Sequence, residues 1–118
     1  MVTMTDAEGF WAKLAELVAG HELVIDRPRG SPHPRHPTTD YALDYGYLRD
    51  TTSTDGGGVD VWIGSLAEQH VTGLVCTVDL EKCDAEVKIL LGCTRDEMDM
   101  VCKMHNAGDQ SAILVGRA

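Results

Sequence analysis

All four prolines of this 118-residue chain, Pro28, Pro32, Pro34 and Pro37, fall within one run of ten residues. Each fixes φ and removes a backbone donor, so Arg27–Pro37 cannot be a helix or a ladder-forming strand and must be an ordered loop. Regular structure therefore divides into a short portion before the loop and a longer, proline-free portion after it.

Before the loop, Thr5 followed by Glu8 reads as a capping box opening a helix to about Ala19, with Phe10, Leu14, Leu17 and Val18 as its buried stripe and Gly20 as its stop. Residues 22–26 alternate as a strand, with Leu23 and Ile25 on one face. After the loop come a short strand around Tyr41–Leu48, a turn-rich loop over Thr51–Gly58 and a strand over Val59–Gly64. Two longer strands, His70–Asp79 and Ala85–Gly92, are joined by LEKCD. In the second, Val87, Ile89 and Leu91 face the core, while Glu86, Lys88 and Leu90 share the other side. Trp62, alternating with Val61 and Ile63, reads as packing or an outer patch. Thr94 with Glu97 caps a helix to about Asn106 on a Met98, Val101 and Cys102 stripe, and Ala112–Val115 is a last strand. Short strands with two helices and no βαβ alternation give a mainly β (α+β) fold. The expected form is a small antiparallel OB-like β-barrel packed against an N-terminal and a C-terminal helix, one domain over residues 1–118.

A net charge of −9 argues against nucleic acid, whose phosphates demand a basic face. A barrel binding single strands would also need base-stacking aromatics, and only 5% of residues are aromatic. No stretch approaches the roughly 20 apolar residues of a membrane span. Acids stand where a signal peptide carries basic residues, so a cytoplasmic protein is expected. The four cysteines form no CxxC pair and read as reduced thiols.

The chemistry concentrates between Asp26 and Trp62, where four arginines (Arg27, Arg29, Arg35, Arg49), all three tyrosines and the loop DGGGVD occur together. Asp55 and Asp60 are five apart across that loop, and Asp79 and Asp84 are five apart across DLEKCD. Aspartate and glycine are common turn residues. Two such pairs facing one another beside an arginine loop also suit Mg²⁺, which takes one or two carboxylates plus substrate phosphate oxygens. Tyr41, Leu43 and Tyr45 lie on one strand face, where tyrosine hydroxyls can serve as neutral donors. His33 and His36 lie in the proline loop and read as solvated or phosphate-adjacent.

YALDYGY, DGGGVDVW and VDLEKCDAEVKILL resemble the soluble family I inorganic pyrophosphatases, in particular a shorter DGGG-bearing branch. The resemblance covers about residues 23–92. It implies Mg²⁺-dependent hydrolysis of pyrophosphate to phosphate, with Mn²⁺ as the other candidate cation. Asp55, Asp60, Asp79 and Asp84 correspond to metal ligands, and Asp26 falls on a further family acid. Tyr41 and Tyr45 correspond to two family tyrosines and Arg35 only loosely to a family lysine; Arg35, Lys88, Tyr41, Tyr45 and Arg29 are the expected substrate contacts, with Asp60, Arg35 and Tyr45 in catalytic roles. The chain departs from the family pattern too. Gly57 stands where the family has its general-base aspartate, Glu86 replaces a lysine, and His105–Asn106 takes the place of a Tyr-Lys pair. Asp44 could supply a carboxylate, but strand alternation aims it away from Tyr41 and Tyr45.

Two functions follow. The first is a phosphoanhydride hydrolase slowed by the loss of its base at Gly57. The second is a non-catalytic phosphate- or nucleotide-binding regulatory domain. The expected partner is a small molecule, with no nucleic acid and no membrane; a homo-oligomer is compatible with either reading.

Overall fold

The computed structural model describes residues 6–34 and 40–117. Helix α1 (Ala7–Ala19) leads into β1 (Leu23–Arg27), β2 (Asp44–Leu48), β3 (Val59–Ile63), β4 (Val71–Asp79) and β5 (Asp84–Leu91). Helix α2 (Arg95–Met104) and β6 (Gln110–Gly116) complete the order. The strands form one sheet, ordered β1-β2-β3-β5-β4-β6. All neighbours are antiparallel except β3 and β5, a parallel pair that strand alternation alone did not disclose. β1 and β6 are its two edges, so the sheet is open rather than a closed barrel among the described strands. No helix among the described residues is long and apolar enough to cross a membrane, and all four cysteines are free.

Because side chains alternate across a strand, each face of the sheet takes one helix. On one face α1 sends Trp11 against Leu48, Val61, Val71, Leu74, Ile89 and Leu91. On the other, α2 places Met98 and Val101 over Leu43, Trp62, Val75 and Leu90. Trp62 is thus core, not an outer patch. Thr94 and Glu97 cap α2 reciprocally, as the sequence indicates.

Three expectations need correction. The α1 stripe keeps Leu14, Leu17 and Val18 against the core but takes Trp11 in place of Phe10: Trp11 is buried and Phe10 is 50% exposed, packed edge-on against it. Ala7, Trp11, Leu14 and Val18 follow the i, i+4, i+7 repeat, which leaves Phe10 on the flank. Thr5 lies outside the described residues, and α1 starts behind Asp6, whose side chain makes no cap bond. On β5, Ile89 and Leu91 are core but Val87 is 42% exposed, so the core face closes at Ile89.

The proline loop folds back on itself. Tyr41 N–H donates to Ser31 O (2.9 Å) and Gly30 N–H to Tyr41 O (2.8 Å), which delays β2 to Asp44. Gly46 sits where β1 and β2 approach most closely, opposite Ile25. A Cβ there would be driven into the Val24 carbonyl, a backbone atom that cannot move aside without parting the strands. Gly46→Ala should therefore destabilise the protein by about 3 kcal/mol or more in urea unfolding, at the severe end for a single substitution. A midpoint within error of the unsubstituted chain would show that β1 and β2 do not pair this tightly.

Candidate active site

Alternation along β5 places Asp84, Glu86, Lys88 and Leu90 on the α2 face. Leu90 joins the core beneath α2, and the charged residues run from it toward the β4–β5 turn. Register brings β2 and β3 to the same place. Tyr45 lies opposite Trp62 and Tyr47 opposite Asp60, while Trp62 is level with Leu90.

At this junction the Lys88 ammonium is buried, at 6% residue exposure, and donates to three oxygens. These are Tyr45 Oη at 2.8 Å, Asp60 Oδ2 at 2.9 Å and Glu86 Oε2 at 3.2 Å. A buried ammonium is tolerable only when its donors are satisfied and its charge is balanced. Burial alone would lower the Lys88 pKa; the Tyr45 oxygen and the Asp60 carboxylate outweigh it and hold the group above the ordinary lysine value. Burial pushes the Tyr45 phenol well above its usual range, with Lys88 opposing, so at neutral pH it is an uncharged hydroxyl. Glu86 is also raised, by burial first and against the pull of Lys88.

A second lysine extends the network outward. Lys82 Nζ stands 3.4 Å from Asp84 Oδ2 and 3.9 Å from Glu86 Oε1. Asp79, the Cα partner of Asp84, accepts the backbone N–H groups of Glu81 and Lys82 at 3.0 and 3.1 Å and closes the turn. Asp55 Oδ1 accepts Gly57 N–H (2.9 Å) and Ser53 Oγ–H (3.0 Å). These bonds, with Lys82 in reach, hold its carboxyl below the ordinary value. Thr54 Oγ1 donates to Ala85 O at 2.8 Å, fastening the glycine loop to the start of β5.

Asp60, Lys88 and Tyr45 are therefore in direct contact, Asp84 is linked to them through Lys82 and Glu86, and Asp55 joins through a side-chain hydrogen bond with Glu86 and feels the Lys82 charge. Asp79 has one oxygen committed to its turn. Among the described residues no three His, Cys, Asp or Glu side chains gather into one ligand set. The carboxylates form a line spaced by lysines, not the single cluster expected. Tyr41 makes no polar contact with Lys88; it stacks on Tyr45 (5.6 Å) and His33 (5.6 Å) and backs the site. Arg29 is exposed, and its backbone N–H donates to Asp44 Oδ1 at 2.8 Å. That bond holds Asp44 away from Lys88, as alternation indicates. Asp26 is exposed on β1. Arg35 and His36 lie outside the described residues.

Sequence reasoning passed over Lys82 and noted His105 only as half of the pair that replaces a family Tyr-Lys. Lys82 sits in a turn, where no periodicity reveals direction. His105 lies behind Trp62, whose Nε1–H donates to His105 Nε2 at 3.2 Å, leaving Nδ1 3.4 Å from Gln110 Oε1. Burial, aided by the Lys88 charge, pushes the His105 pKa down to about 4.

The glycine loop differs from position to position. Gly56 has φ +83°, which favours glycine, and a Cβ on Gly58 would press on Leu48 O and the Tyr47 ring at 2.8 Å. Gly57 has no left-handed backbone; a Cβ there would meet only the Asp55 carboxylate, at 3.2 Å. Gly57 is thus the one glycine of the three with both the backbone and the room for a side chain.

No protein-family model matches the chain, and no curated protein matches its sequence. Solved structures do match. The inorganic pyrophosphatase from the pathogenic bacterium Helicobacter pylori aligns with a TM-score of 0.57 and 12% identity, covering 80% of this chain and 81% of that one. An inorganic pyrophosphatase from Coxiella burnetii gives 0.49 and 14%, with coverage of 81% and 76%. The first likeness shows the fold: this chain has the mainly β, OB-like architecture of an inorganic pyrophosphatase.

Two outcomes follow from the buried network. Lys88→Met should cost about 3–5 kcal/mol in chemical unfolding, because it strands two carboxylates. Adding Asp60→Asn and Glu86→Gln should recover much of that loss; a triple variant no more stable than the single one would contradict the ion-pair account. For His105, the folded pKa lies below the ordinary 6.5, so the unfolded chain takes up the proton first as pH falls. Its contribution is fully present above about pH 6.5 and is lost progressively down to pH 4, by about 3 kcal/mol. His105→Gln should flatten that part of the stability–pH curve; an unchanged curve would mean His105 is not buried as a neutral ring.

Proposed function

We propose that this chain hydrolyses a phosphoanhydride, with pyrophosphate as the first substrate, using Mg²⁺ or Mn²⁺. The observation that carries the reading is the buried Lys88–Tyr45–Asp60 contact, set on a pyrophosphatase fold where the glycine loop meets the β4–β5 hairpin. The donors are carboxylate oxygens, the ligand type of a hard cation, although among the described residues they gather into no single ligand set. Asp55, Asp60, Asp84 and Glu86 supply four carboxylates against the ammonium groups of Lys82 and Lys88, and Glu86 Oε1 is buried without a hydrogen bond. Asp55, Asp60, Asp79 and Asp84 would hold the metal. When bound, it would neutralise phosphoryl oxygens and acidify a water.

The chain's own residues position the substrate. Tyr45, neutral and accepting from Lys88, can turn its hydroxyl hydrogen from Asp60 to a phosphoryl oxygen. Lys88 stays charged and can turn one N–H from carboxylate to phosphate, while Asp60 retains the negative charge that orients it. Arg35 would contact the outer phosphoryl group. Positioning and charge balance would supply most of the acceleration, because no carboxylate occupies the general-base position.

That missing base favours a second reading, a phosphate- or nucleotide-binding domain without turnover. Phosphate release from pyrophosphate with Mg²⁺ separates the two. On the enzyme reading, wild type turns over slowly. Gly57→Asp should accelerate it by about tenfold or more, toward the 10²–10⁴ typical of a general base. Asp60→Asn should abolish metal-dependent turnover in both backgrounds. Asp60→Asn as fast as wild type would remove the metal mechanism. A wild type that binds Mg²⁺ and phosphate yet cleaves no phosphoanhydride would establish the binding domain.

A further inference from the structure

Helix α1 covers only part of its face of the sheet. Register sets Val87, Cys76 and Ile113 side by side on β5, β4 and β6, with Ala85, Val78 and Ser111 in the next row on the same face. Cys76 packs at the border of the α1 core, beside Leu74 and Val115, and fixes which face this is. Beyond that border nothing among the described residues covers the rows: Val87 is 42%, Val78 46% and Ile113 64% exposed. Single apolar residues on a surface are ordinary, but a contiguous group on three neighbouring strands marks an interaction surface.

The surroundings of the patch select its partner. An extended peptide would add along the β6 edge, and that edge is already engaged. Asn106 Nδ2–H donates to Ala112 O (3.1 Å), Ala112 N–H donates to Asn106 Oδ1 (3.0 Å) and Gln110 N–H donates to Ala107 O (3.1 Å). A partner must therefore meet the face and not the edge. β4 pairs with both neighbours without a bulge from Leu74 to Asp79, so the face is a regular pleat, a shape that packs against another sheet. None of its six residues is acidic or basic, and burial raises the Cys76 thiol pKa and keeps it neutral. Two copies of a chain with net charge −9 repel unless they meet where neither is charged, and a two-fold contact sets the same patch against itself. The patch is also self-complementary. Val78 and Ile113 stand beside a shallow hollow between β4 and β6, lined with Cys76 and Ser111, so an aliphatic side chain of each copy can enter the hollow of the other.

We propose that this uncovered end of the α1 face is the contact surface of a two-fold homodimer, in which the Val87–Cys76–Ile113 rows of two copies pack sheet on sheet. Glu86 and Lys88 project from the opposite face of β5, so both candidate active sites stay open. Val87 lies between those two residues, and the partner copy backs the strand that carries them. The contact uses none of the site's side chains and is independent of the hydrolase reading.

Sedimentation velocity of the full chain over a concentration series is the test. Wild type should pass from monomer to dimer in the micromolar range. Ile113→Asp and Val87→Asp each bring a carboxylate to a contact where its symmetry mate also stands, and should weaken the dimer by about tenfold or more. Met100→Asp adds the same charge at an exposed apolar residue of α2 and should leave the dimer unchanged. Circular dichroism checks each fold; Ile113→Thr, which keeps a β-branched residue, replaces an aspartate variant that does not fold. A wild type that stays monomeric to about 1 mM overturns the proposal and leaves the face to a different protein. A dimer unaffected by the folded Ile113 and Val87 variants, or weakened equally by Met100→Asp, overturns it too.

Discussion

The Lys88 ammonium is the charge on which the site and much of the sheet depend. An unpaired ammonium at this depth would cost several kcal/mol, and its three partners come from three strands: Tyr45 on β2, Asp60 on β3 and Glu86 on β5 itself. A one-residue slip of β2 or β3 would turn Tyr45 or Asp60 to the α1 face and leave the charge unbalanced. Register, including that of the parallel β3–β5 pair, is thus tied to one polar contact as well as to the apolar faces. The same contact places a neutral hydroxyl, a cation and a carboxylate within hydrogen-bond reach of one another.

Around this centre the charges are deliberately unequal. Lys88 is fully coordinated, whereas Lys82 stands at ion-pair distance over Asp84 and Glu86. The inner lysine fixes geometry, and the outer one, with a 40% exposed side chain, is held less closely. The glycine loop is arranged on a comparable principle. Asp55 spends one oxygen on Gly57 N–H and Ser53, Gly56 makes the left-handed turn, and Thr54 ties the loop to β5. Of the three glycines only Gly57 has both the backbone and the room for a side chain.

Much of the architecture was legible in the sequence because strands half-buried on one face alternate, and all six were found within a few residues. The capping box at Thr94 and Glu97 marked α2 directly. What alternation could not carry was pairing across distance: β3 and β5 are parallel neighbours, a consequence of how β4 folds between β5 and β6. Phe10 was read as core because it fits a helical repeat, but Trp11 offers more apolar area and takes the buried side. Within the site, the shared face of Asp84, Glu86 and Lys88 was readable from their spacing. The replacement of lysine by glutamate at 86 looked like a loss. In three dimensions it is a partner for Lys88, with a second oxygen left over. Lys82 escaped notice because its direction is set by the turn that Asp79 closes.

The central claim is that the phosphate site is built on Lys88. Its most direct test is nitrogen-detected NMR of lysine side-chain ammonium groups in the full chain. The account predicts one slowly exchanging ammonium, assigned through loss of the signal in Lys88→Met, that shifts on addition of pyrophosphate with Mg²⁺. A Lys88 signal in fast exchange with water, or one that stays fixed at saturating pyrophosphate and Mg²⁺, would contradict it.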